Sequence, residues 1–95
     1  MQSDRAESIG VSALLFLAGD TDRLVRFLTL TGLGPAELRA ESRSPRILAA
    51  VLEHLLQDES LLLVSSDGVP PEDIAPARRL LADIAGEIDD PEFSA

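Results

Sequence analysis

The sequence predicts an all-α fold, a compact orthogonal bundle of five or six short helices. Apolar residues recur at helical spacing over most of the chain. Proline, glycine and short polar residues stand where helix ends would need them. No segment alternates as a half-buried strand does, and no internal repeat or low-complexity stretch interrupts the pattern.

In domain terms, residues 1–8 read as a flexible N-terminus running into the first helix. Residues 9–88 read as a single helical domain, and residues 89–95 as a frayed acidic tail. The first helix ends at Ala18 and starts somewhere between Asp4 and Ile9. Its wheel is apolar nearly all round, since Val11, Leu14 and Leu15 cannot share a face with Ile9, Phe16 and Leu17. Such a helix is either central in the domain or half-covered by a second subunit. Gly19 stops it, and Asp20 or Thr21 caps the next helix. There Leu24, Val25, Phe27 and Leu28 form the buried stripe, Arg23 and Arg26 face outward, and Gly32 is the residue after the last turn.

A third helix opens on Gly34 at the N-cap and Pro35 at the first helical position. Glu37 stands two residues on, and Leu33 is placed to staple onto Leu38. It ends before Ser44 and Pro45, which open the central helix. At about 100° per residue, Ile47, Leu48, Val51, Leu52, Leu55 and Leu56 fill one half of that helix's wheel, and Arg46, Glu53, His54 and Gln57 the other. The pattern fails at Asp58 and Glu59, which a straight helix would carry onto the apolar face. Burying an unpaired charge costs several kcal/mol (about 3 to 5 where a buried pair is broken), so the favoured reading is a break near Gln57. Asp58 then N-caps a second short helix, Glu59 to Ser65. The other reading is an unbroken helix with one carboxylate buried against an arginine. Ser65-Ser66-Asp67-Gly68 is a turn, and Pro70-Pro71 opens the last helix. Ile74, Ala77, Leu81, Ile84 and Ile88 recur at heptad spacing, but Pro76 sets the regular helix to begin only there.

Composition narrows the function. The chain has 95 residues, enough for one small core, and 45% are apolar, which argues against disorder. Net charge is −9, and every basic side chain is arginine. That balance argues against nucleic acid and anionic membranes, whose phosphates need cationic partners. With three Phe and no Trp or Tyr there is little aromatic surface for stacking. With no cysteine, thiol catalysis and zinc–thiolate sites are excluded. The N-terminus does not read as a signal peptide, because Asp4 and Glu7 spoil a basic opening. The apolar run Val11 to Ala18 is too short to span a bilayer. The cytoplasm is the default by elimination.

Candidate site residues are few. Arg39, Arg43 and Arg46 bracket the entry to the central helix. Arg46 lies in its first turn, against the helix dipole, where a cation sometimes grips a carboxylate or phosphate. The plainer reading is a solvated arginine, or one paired with Glu37, Glu41 or a distant acid. The same region permits a helix-turn-helix, from Thr21 to Thr31 and then from Pro35, but Glu37 and Glu41 would repel phosphate. His54 and Asp58 are i,i+4, a spacing that brings two metal ligands together. No second histidine or any cysteine completes a site, so His54 reads as a lone exposed helix histidine. Adjacent Asp58 and Glu59 do not face each other across a substrate. The serines have no activating base in pattern, and there is no phosphate loop. No cofactor, metal or catalytic set is expected.

Two segments, LTGLGPAELR (Leu30 to Arg39) and LAAVLEHLLQDESLLL (Leu48 to Leu63), resemble a family of small, acidic, helical bacterial proteins known only as a domain of unknown function. The resemblance runs from about Ala13 to Ala85. It implies a small helical bacterial cytosolic protein and carries no activity, ligand or catalytic residue with it. The leading expectation is a protein–protein interaction or self-association module, a homodimer being one form. The alternative is a helix-turn-helix-like DNA-associated regulator.

Overall fold

Local end signals cut the chain into helices close to where the sequence placed them. The structure, a computed structural model, describes residues 1–89, with side chains through Gly86. Its elements are α1 (Ser3–Ala18), α2 (Thr21–Thr31), α3 (Pro35–Ala40), α4 (Pro45–Leu56), α5 (Glu59–Val64) and α6 (Pro71–Asp89). The tail expected over residues 89–95 lies outside the described residues, apart from Asp89 at the end of α6, and so does the side chain of Ile88.

Two aspartates act as caps. Asp20 accepts from the amides of Asp22 at 3.0 Å and Arg23 at 3.3 Å, opening α2. Asp58 does the same for α5, accepting from Ser60 N at 2.9 Å and Leu61 N at 3.3 Å. The central stretch therefore breaks at Gln57, as favoured. The new register buries Leu61 and leaves Glu59 in solvent. Gly32 closes α2 at φ 78°, a left-handed conformation that glycine adopts without a Cβ penalty. Ser44 occupies the N-cap position of α4 but makes no side-chain cap hydrogen bond, so Pro45 carries that helix start.

Two boundaries differ from expectation. α1 begins at Ser3, so the polar opening is already helical. Ala6 is fully buried there, and Arg5 donates to Asp73 of α6 at 2.9 Å, which ties the first turn down. α6 runs unbroken from Pro71 through Pro76. The amide that Pro76 lacks would have met the carbonyl of Glu72. Both residues are exposed, which leaves that carbonyl open to solvent, and the helix runs on through the second turn.

The core is one cluster. Leu17 of α1, Phe27 of α2, Ile47, Leu48, Val51, Leu52 and Leu55 of α4, Val69, and Ile74 of α6 are its largest fully buried side chains. α4 packs most extensively against α6 and α1, and α1 against α6. α1 is thus central, and its inner face is Ala6, Ile9, Gly10, Ala13, Leu14 and Leu17, at i, i+3, i+4, i+7 spacing. Three of those six residues, Ala6, Gly10 and Ala13, are small. A Cβ at Gly10 would stand 2.8 Å from Leu48 Cβ, so the glycine sets how closely α1 approaches α4. On α6, Ile74, Ala77 and Leu81 are buried at heptad spacing, and Ile84 is half-buried. The radius of gyration, 13.1 Å, is that of a compact globule of this length. Among the described residues there are six helices and no strand.

Candidate functional site

The α1 wheel carries more large apolar side chains than its inner face holds, and Leu15 and Phe16 fall outside that face. Phe16 is half-buried beneath the Arg23 guanidinium, which sits 4.7 Å from the ring centroid, so Arg23 lies over the domain rather than facing away from it. Leu15 has no such cover and is 66% exposed. It stands between two depressions. One, about 270 Å³, runs between α1, α2 and α3 and is walled by Leu14, Leu15, Ala18, Leu24, Leu28 and Leu38, with Arg39 and Ser42 at its polar edge. The other, about 420 Å³, is bounded by Leu15, Phe16 and Val64 and by the turn after α5. Beside it α5 projects Leu63 and Val64, 71% and 55% exposed. Leu15 is common to both depressions, and Val64 borders the second, whose walls also carry Ser12, Ser65 and Asp67. Exposed apolar side chains grouped at a groove, rather than scattered singly, are where interaction sites form. Val25, expected in the buried stripe of α2, is also exposed, as is Leu30; neither lines a depression, and single exposed leucines and valines are ordinary.

The arginines expected as a cluster are separated by their partners. Arg46 pairs with Glu41 at 3.2 Å and Glu37 at 3.8 Å, which offsets its place against the helix dipole. Arg43 reaches Glu7 of α1 at 3.4 Å. Arg39 stands exposed at the groove and has no carboxylate within 4 Å among the described residues.

His54 is not exposed, contrary to its place on the helical wheel. α2 leans over that side of α4, and the Phe27 ring meets the imidazole edge-on, with centroids 5.3 Å apart. Only 8% of the residue is accessible, and Nε2 is buried without a hydrogen-bond partner. Burial lowers its pKa below the usual 6.5, and the Arg26 guanidinium lowers it further, while Asp58 pulls the other way. Asp58 is occupied as the cap of α5. Among the described residues no three His, Cys, Asp or Glu side chains gather as metal ligands would. No described helix is long and apolar enough to cross a membrane.

Sequence reading missed Gly10 and Leu15. The surplus of apolar residues round α1 was the available signal for Leu15, but hydrophobicity alone does not say which of Val11, Leu14, Leu15 and Phe16 stays uncovered. Leu24 and Leu28 read as the buried stripe of α2 and Leu38 as the staple partner of Leu33, and all three also wall the groove.

Neither the curated proteins nor the solved structures include a match to the chain. A family model, described as Protein of unknown function (DUF3572), matches residues 3–84. That span holds α1 to α5, most of α6, and both segments that carried the resemblance. The chain belongs to the DUF3572 family.

Proposed function

We propose that the chain is a protein-docking module rather than an enzyme, and that it binds through the apolar groove between α1, α2 and α3. The observation that carries this is Leu15, exposed at the lip of an apolar groove and shared with a second depression beside α5. The groove is small and open beside an ordinary small-molecule pocket of about 300 to 1,000 Å³, and Arg39 is its one titratable wall residue. Apolar walls with a single cationic edge suit a ridge of apolar side chains with an acid beside it, as a helix presents. The helix-turn-helix alternative is not carried forward. α3 spans fewer than two turns, and Arg46 is held by two glutamates. Placement in the cytoplasm and bacterial origin stay expectations of the sequence.

The test is a photo-crosslinking side chain placed at Leu15 and, as control, at exposed Arg79 on α6. Position 15 is expected to give a discrete adduct with one protein species and position 79 none. No adduct at 15, or the same diffuse set at both, contradicts the docking reading.

A further inference from the structure

We infer that the occupant of the groove is a second copy of this chain, seated reciprocally. The inference rests on the docking reading above. Both halves of a complementary contact lie on one face, on either side of Leu15. The groove is recessed, apolar and edged by Arg39. The ridge is α5, whose exposed side is Glu59 and Ser60 with Leu63 and Val64 at i,i+4 from them. The charges at the two edges are of opposite sign. Among the described residues Arg39 has no acidic partner within 4 Å, and Glu59 has no basic one. A two-fold axis near Leu15 sets the Leu63–Val64 ridge of each copy into the groove of the other. It brings Glu59 to Arg39 twice and stacks the two Leu15 side chains on each other. A two-fold contact requires one patch that carries both members of each pair, and this face does. A heterologous partner would have to supply from outside an acid and an apolar ridge that the chain already presents.

The experiment is charge reversal on the full chain, read by sedimentation velocity over a wide concentration range, with circular dichroism to verify the helical fold. Arg39→Glu and Glu59→Arg are both at exposed positions. Each single variant is expected to weaken self-association by about tenfold or more, because it sets like charges together at both ends of the contact. The double variant is expected to regain most of the wild-type affinity, an outcome that loss of folding cannot imitate. A wild-type chain that sediments as one copy throughout overturns the inference. So does a wild-type dimer indifferent to both reversals. If position 15 crosslinks to a different protein, the second copy is overturned and the docking reading survives. If it crosslinks to nothing, both fall.

Discussion

His54 concentrates the energetic conflict of the molecule in a single residue. It is the one histidine, it is buried against Phe27, and its Nε2 meets no partner. Its folded-state pKa lies below the usual 6.5 because burial and the nearby Arg26 both disfavour the cation. The unfolded chain therefore takes up this proton first as pH falls. Stability from the neutral imidazole is whole above about pH 6.5 and is lost as pH drops from there toward the folded pKa. Urea midpoints at pH 7.5 and 5.5 check this, since both lie above the ordinary carboxylate range. The wild type is expected to be less stable at pH 5.5, and His54→Leu is expected to show little difference between the two. At neutral pH that variant removes an unsatisfied polar group, whose burial costs about 1 to 3 kcal/mol, so it is expected to be neutral or stabilising. Leu15 is the opposite case. Leu15→Ser is expected to change the stability of the isolated chain by no more than about 0.5 kcal/mol, measured by thermal unfolding at high dilution, because the side chain is in water there. Single-helix patterning placed His54 with Arg46, Glu53 and Gln57. What reversed that was another helix lying over it, and one helix's period carries no such information.

At the scale of elements, the helix ends were legible where a side chain makes the end. Asp20, Asp58, Gly32 and Pro35 are local devices, and each works in place. Asp58→Ala is expected to cost about 1 kcal/mol, whereas Ser44→Ala, which removes no cap bond, is expected to cost little. Chemical denaturation of the two variants side by side checks the contrast. Boundaries decided by packing were not legible. α1 gains its first turn from the buried Ala6 and from Asp73 on a helix 68 residues away. Its inner seam was hidden for the same reason. Hydrophobicity gives little weight to Ala6, Gly10 and Ala13, yet all three are buried, and the smallness of Gly10 is what admits Leu48 of α4. Gly10→Ala forces Cβ against Leu48 Cβ, which is fixed to the α4 backbone, so the helices must part. A loss of about 1 to 3 kcal/mol is expected, despite the better helix propensity of alanine, and a denaturation midpoint reads it.

For the whole molecule, the class of fold followed from composition and period, while the candidate face needed four helices assembled. α1 supplies Leu15, α2 and α3 supply the groove, and α5 supplies the ridge. The bond of Asp58 to the α5 amides starts that ridge in its own register, so the break in the central stretch is also what turns Leu63 and Val64 outward. Exposed ion pairs such as Arg46 with Glu41 and Arg43 with Glu7 hold the surface in register but contribute little to stability, about 0 to 1 kcal/mol each. The acidic excess, net −9, sets Arg39 apart as a cation at an apolar site. The measurement that tests the central claim most directly is amide chemical shift recorded by solution NMR from dilute to concentrated protein. The account predicts concentration-dependent shifts gathered on Leu14 to Ala18, Leu24 to Leu28, Leu38 to Ser42 and Glu59 to Val64. Shifts that stay constant, or that gather on the outer face of α6 around Ala75 and Arg79, would contradict it.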